Sequence, residues 1–163
     1  MHKSDKEWFS QQIILNQDSM YRYAFTILKN DSDVKDVLQE SIIKAYEKID
    51  SLKEPKKFKC WILTIVKNSA YDFLRSHNDF SDIAEESIES PANESALVEK
   101  LDLYNAIQKL PLKDRTIVLL YYFEGMQIKA ISNILEADSQ TIRMRLSRAR
   151  KKLKKIFEGY EEV

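Results

Sequence analysis

The chain has 163 residues with 26 basic and 26 acidic side chains, only two glycines and three prolines, and a single cysteine, Cys60. So few turn formers exclude a many-stranded β architecture, and one thiol excludes an internal disulfide. No apolar run approaches the roughly 20 residues of a membrane span, and Met1 to Asp5 begins no signal peptide, so a cytoplasmic all-α protein is expected.

The net charge of zero hides a segregation. Residues 76–99 contain seven acids and no Lys or Arg, while residues 137–157 contain eight bases and one acid. The overall balance therefore excludes nothing about nucleic acid, because the local field at the basic segment decides.

The first helical faces come from Trp8, Phe9, Ile13, Ile14, Tyr21, Tyr23, Ala24, Ile27 and Leu28. The turn Asn30-Asp31-Ser32-Asp33 can cap a helix over Val34 to Ile49, with Val37, Leu38, Ile42, Ala45, Tyr46 and Ile49 turned inward. Its polar side carries Asp33, Asp36, Gln39, Glu40, Lys44 and Glu47. That side is either a solvated face or a protein docking surface, and periodicity does not choose between them.

Residues 50–57, with Pro55, break the pattern before a third helix over Phe58 to Ser76, where Trp61, Ile62, Ile65, Ala70 and Leu74 are apolar. Lys53, Lys56, Lys57, Lys59 and Lys67 surround Phe58 and Trp61, and Asn68, Tyr71 and Arg75 follow. Rings beside cations and an amide suit unpaired bases, because a base stacks on the ring while a lysine holds its phosphate. Alternatively, Phe58 and Trp61 are core and the lysines are solvated.

The acidic, serine-rich stretch that follows shows little periodicity and reads as a flexible linker extended by its own charge. It divides the chain into a domain at 1–76, a linker at 77–96 and a second domain at 97–163. The second domain should hold helices over Leu97 to Leu110 and Leu112 to Phe123, then a short helix over Gln127 to Leu135 with Ile128, Ile131, Ile134 and Leu135 on one side. Glu136-Ala137-Asp138 joins it to a final helix that Asp138 or Ser139 can cap. In that final helix Ile142, Leu146, Ala149, Leu153 and Ile156 form an apolar stripe, and Arg143, Ser147, Arg148, Arg150 and Lys151 lie opposite. Two helices joined by so short a turn, the second one basic, make a helix-turn-helix that can enter a major groove. The competing reading, a basic amphipathic helix on a membrane, loses ground because the preceding helix offers its own apolar face for packing.

No catalytic constellation emerges. The two histidines, His2 and His77, have no partner for a metal site or a Cys–His pair, Cys60 sits beside Trp61 as a core thiol, and no glycine-rich phosphate loop exists. The expectation is a protein without catalytic residues, metal or cofactor.

The residues also resemble a known family. Asp36-Val37-Leu38-Gln39-Glu40, Ala45-Tyr46, Trp61-Ile62, Ile65, Asn68, Asp72 and Arg75 resemble the promoter-melting domain of bacterial sigma factors. Leu110-Pro111, Arg115, Val118-Leu119-Leu120, Glu124-Gly125-Met126 and Thr141 to Arg150 resemble their C-terminal promoter-binding domain. With only these two domains the chain is similar to the extracytoplasmic-function subgroup. Two departures stand out. Ala130-Ile131-Ser132 replaces the usual Glu-Ile-Ala, and Glu136 occupies a turn that often carries glycine.

The resemblance implies a stress-response transcription initiation factor. Asp36, Gln39, Glu40 and Lys44 would dock on the clamp coiled coil of the RNA polymerase core, whose flap would meet the second domain. Leu52, Lys53, Lys56, Lys57 and Phe58 would form the loop that receives a flipped base of the −10 element, with Asn68 lining its pocket. Trp61, Lys67, Tyr71 and Arg75 would support or track the opened strand. Ser139, Gln140, Thr141, Arg143, Met144, Ser147 and Arg148 would face the −35 element, Lys151 would sit on phosphate, and Met144 would favour a thymine methyl. Promoter DNA and an anti-sigma factor, often membrane-tethered, are the implied partners. Two rivals remain from the residues alone: an autonomous helix-turn-helix regulator and a helical adaptor that never touches DNA.

Overall fold

The computed structural model describes residues 3–77 and 98–161, with side chains over 5–77 and 102–158. The predicted acidic linker lies outside these residues, His77 excepted. Among the described residues there are helices and no strands, as the scarcity of turn formers required. They fall into two compact units.

The first unit packs three helices: α1 (Lys3–Leu28), α2 (Asp31–Glu47) and α3 (Phe58–Ser76). Its core is Phe9, Met20, Tyr23, Ala24, Ile27, Val34, Val37, Ala45, Phe58, Ile62, Leu63, Val66, Ala70 and Leu74. Only Lys29 and Asn30 connect α1 to α2. Lys29 takes a left-handed conformation (φ 57°) that ends α1, and Asn30 Oδ1 accepts the Asp33 N–H at 3.0 Å. Because Asn30 is the cap, α2 starts at Asp31, three residues before the predicted Val34. Two short turns of 3₁₀ helix, Ile49–Ser51 and Pro55–Lys57, carry the chain into α3. At the far end of α3 the His77 ring stacks on Phe73 at 3.9 Å, and its backbone N–H donates to Phe73 O at 3.1 Å.

Two apolar residues expected inside α1 and α2 are not there. Ile14 is 62% exposed and Tyr46 is 39% exposed. Met20 and Ser41 take interior positions instead, and the Tyr46 ring reaches inward only to meet Phe9 edge to face at 5.6 Å.

The second unit contains α4 (Val98–Gln108), α5 (Leu112–Val118), α6 (Ile128–Leu135) and α7 (Ser139–Glu161). A π-helical turn, Leu119–Phe123, extends α5 and closes through Glu124 N–H to Leu119 O at 3.1 Å. Gly125 then turns the chain at φ 62°, a conformation that costs glycine little. The core is Ala106, Ile107, Leu110, Ile117 to Leu120, Ile131, Ile134, Ile142, Leu146, Ala149 and Leu153. Arg115 is fully buried within it and donates from Nη1 to the Leu110 carbonyl at 3.3 Å.

Candidate nucleic-acid interface

In the second unit, α6 and α7 form the expected helix-turn-helix. α6 ends at Glu136, which adopts φ 53°, ψ 42° where glycine would be unstrained. Ala137 N–H returns to Ser132 O at 3.2 Å, and the Ser132 hydroxyl donates to Ala137 O in a short bond. Asp138, rather than Ser139, supplies the cap, its Oδ1 accepting Thr141 N–H at 2.8 Å. That bond holds the Asp138 carboxyl below its ordinary pKa of 3.8.

Packing of Ile142, Leu146, Ala149 and Leu153 fixes the rotation of α7 about its axis. Gln140, Arg143, Met144, Ser147, Arg148 and Lys151 are left exposed, with Ser139 and Thr141 half-buried at the first turn. Met144 is 58% exposed, an apolar side chain set among cations. Lys152 is neutralised by Asp114 at 2.9 Å and Lys154 faces Glu158 at 3.9 Å. Among the described residues Arg143, Arg148 and Lys151 have no acidic partner, so their charge remains available to an anion. Arg150, absent from the expected −35 set, is bound to Tyr122.

In the first unit, α3 presents a stripe at two-turn spacing: Trp61, Asn68 and Arg75. Asn68 and Arg75 are exposed and Trp61 is half-buried. Arg75 pairs with Asp72, one turn back, through a short contact. Trp61 Nε1 donates to Ser51 Oγ at 3.1 Å and so ties the 49–57 segment to this stripe. Leu52 is half-buried, while Lys53, Lys56 and Lys57 are exposed, the last two sharing Glu54 at 3.7 and 3.8 Å. Tyr71 is half-buried.

Two residues of the expected −10 set, Phe58 of the base-receiving loop and Lys67 on the opened strand, are misplaced for those roles. Phe58 is 1% exposed. It meets Trp8 at 5.6 Å, Phe9 at 6.1 Å and Trp61 at 5.6 Å, so it is a core ring without a face for a base. Lys67 is 5% exposed, because it lies about 100° around the helix from Asn68, on the flank packed against the unit's interior. The thiol of Cys60 is half-buried rather than fully interior, and burial raises its pKa against the pull of Lys57, which disfavours a nucleophilic thiolate.

On α2, Asp36, Gln39 and Glu40 are exposed. Lys44 is folded back, its Nζ 2.7 Å from Glu40 Oε1 and 3.4 Å from Ser69 Oγ. Ile43, 58% exposed on the same helix, did not figure in the sequence reading of this face, because an isolated apolar residue carries no periodic signal. Among the described residues no cluster of His, Cys, Asp or Glu could hold a metal, and no helix is long and apolar enough to cross a membrane.

Residues 13–80 match Sigma-70 region 2, and residues 100–153 match Sigma-70, region 4. The chain belongs to the sigma-70 family, in its extracytoplasmic-function subgroup. It is 33% identical over 138 residues to RNA polymerase sigma factor SigV of Bacillus subtilis, covering 83% of this chain and 82% of that one. It is 29% identical over 173 residues to ECF RNA polymerase sigma factor SigW of the same organism, covering 94% and 90%. Among solved structures it is similar to the sigma factor RpoE of Bartonella quintana, seen in complex with the anti-sigma factor NepR (TM-score 0.75, 25% identity, 92% of this chain and 96% of that one). CnrH, solved with the cytosolic domain of CnrY, shares the fold at 21% identity and a TM-score of 0.67 over 93% of this chain and 88% of that one. As a family member this ECF sigma factor is an alternative sigma factor of promoter recognition and transcription initiation.

Proposed function

We propose that this ECF sigma factor divides its work between two surfaces. Ser139 to Arg150 on α7 lie in the major groove at the paired −35 element, with Arg143, Met144, Ser147 and Arg148 toward base edges and Lys151 on phosphate. The 52–57 segment, Trp61, Asn68, Tyr71 and Arg75 capture bases of the −10 element after they unpair. Asp36, Gln39 and Glu40 dock on the clamp coiled coil of the polymerase core, with Lys44 holding Glu40 in place, and the flap receives the second domain. Phe58 and Lys67 have no direct part. The domain map is 1–76, 77–96 and 97–163, the acidic 77–96 linker following the polymerase's basic channel.

The observation that carries this reading is α7 itself: a capped helix, locked by four buried apolar residues, with Arg143, Arg148 and Lys151 exposed and unpaired by acid among the described residues. Opening needs no catalysis by this chain. Captured bases gain stacking and hydrogen bonds only once unpaired, so binding shifts the duplex toward the open state. The protein acts in the cytoplasm, and an anti-sigma factor, as bound to the Bartonella relative, restrains it.

The experiment is transcription in vitro with purified chain and core polymerase on a genomic template pool, with 5′-end sequencing of the products. Start sites sharing a −35 and a −10 element are expected. Absence of any transcript dependent on the added chain would overturn the proposal.

A further inference from the structure

The exposed side chain of Arg150 is held in place without being neutralised. Its Nε donates to the Tyr122 hydroxyl in a short bond, and its guanidinium carbon lies 5.6 Å from the ring centroids of both Tyr121 and Tyr122. The two rings meet edge to face at 4.9 Å. Both partners are uncharged, and among the described residues no carboxylate pairs with Arg150, in contrast to Lys152 and Lys154.

A free surface arginine must give up rotamer entropy when it binds. Here the fold has already ordered the side chain, while the full charge stays at the surface. The rings that hold it belong to the π-helical turn Leu119–Phe123, a distortion frequently found at functional sites. Tyr122 is 45% exposed, so the turn spends an aromatic residue at the surface rather than in the core.

The position of Arg150 narrows what it can meet. It follows Arg143 by seven residues, two turns or about 10 Å along α7, on the same flank. That flank borders the apolar stripe and lies away from the centre of the exposed face, where Met144 and Lys151 project. Arg143 lies in the N-terminal turns, which contact base edges, whereas Arg150, about 10 Å farther along the same flank, lies past those turns and reaches sugar-phosphate backbone.

We infer that Arg150 binds a backbone phosphate of the promoter duplex and that Tyr122 is its positioning residue. The inference rests on the proposed placement of α7 in the major groove. The Nη groups engage the phosphate oxygens while Nε stays on the tyrosine hydroxyl, so the contact is sequence-independent and fixes how deep α7 sits.

The test is binding of holoenzyme, formed from core polymerase and each full-length variant, to a promoter fragment mapped in the transcription experiment, measured across a potassium chloride series. Arg150→Gln should weaken binding about 10-fold and lower the slope of log K against log salt by about 0.9, with −35 sequence preference unchanged. Tyr122→Phe keeps the rings and the charge. It should weaken binding about three-fold at unchanged slope, and should do nothing further in the Arg150→Gln background.

Arg148→Ala separates the possible failures. If Arg148→Ala weakens binding and Arg150→Gln leaves the salt slope untouched, the inference is overturned and the placement of α7 stands. If neither variant matters, the placement itself is wrong and the inference falls with it. Loss of core polymerase affinity in Arg150→Gln, with an unaltered DNA slope, would assign the cluster to a protein contact and overturn the inference. Tyr122→Phe indistinguishable from the parent would remove the positioning role.

Discussion

Asp138 Oδ1 accepts the backbone N–H of Thr141 at 2.8 Å, and this bond sets where α7 begins. It leaves Ser139, Gln140 and Thr141 as the first turn, the part of a recognition helix that reaches deepest into a groove.

Because the bond requires an acceptor, Asp138→Ala should lower the melting temperature of the second unit, whereas Asp138→Asn should nearly preserve it. The carboxyl titrates below its ordinary value of 3.8 when folded, so its contribution is fully present above that value. It is lost as pH falls through the folded pKa. Thermal melts of parent and Asp138→Ala from pH 6 down to pH 3 should therefore converge in the acid range. Parallel curves at every pH would show that the cap is uncoupled from stability.

Glu136 occupies a left-handed conformation, φ 53°, in the turn between α6 and α7. Glu136→Gly relieves that strain and should stabilise the protein by about 0.5–1 kcal/mol, after allowance for the added freedom of the unfolded chain. Urea denaturation would measure it, and a destabilisation would mean that the Glu136 side chain makes a compensating contact.

Tyr23 is fully buried, and burial pushes its pKa well above the ordinary value of 10.0; among the described residues its hydroxyl has no hydrogen-bond partner. Tyr23→Phe should be neutral or stabilising by up to about 1 kcal/mol, because only a desolvated, unsatisfied group is removed. A loss above that size would point to a water bound at the hydroxyl.

Phe58 and Asn68 should separate stability from function. Phe58→Ala opens a cavity among Trp8, Phe9 and Trp61 and should cost about 3–5 kcal/mol. Asn68→Ala, on the exposed stripe, should leave the urea midpoint within about 0.5 kcal/mol of the parent. Equal destabilisation by the two would place Asn68 in the core and end its candidacy for base capture.

Much of the fold was legible because helical periodicity is strong where packing is regular. Pro55 and the run from Phe58 mark α3 at its true limits, and Ile142, Leu146, Ala149 and Leu153 fix the face of α7. What periodicity could not show was which of several neighbouring groups wins. Within the turn Asn30 to Asp33 it is Asn30 that caps α2, and Asp138 rather than Ser139 caps α7. Nor does residue type reveal burial where a long side chain lies along a flank, as for Lys67, or where a charge is satisfied by backbone, as for Arg115 on Leu110. The Arg150–Tyr122 pair spans 28 positions and leaves no local pattern at all.

Arg143→Ala and Arg148→Ala should each cost about 1–3 kcal/mol of promoter affinity and relax −35 preference. Selection of bound fragments from a randomised −35 pool would show it, and an unchanged preference in both variants would mean that another face of α7 reads the DNA.

The most direct measurement compares open-complex formation on duplex and pre-melted promoters by holoenzymes carrying Asn68→Ala or Arg148→Ala. If paired and parted bases are gripped by different surfaces, Asn68→Ala is impaired on duplex and restored on pre-melted DNA, while Arg148→Ala is impaired alike on both. Restoration of Arg148→Ala by pre-melting, or equal loss by Asn68→Ala on both templates, would contradict that division.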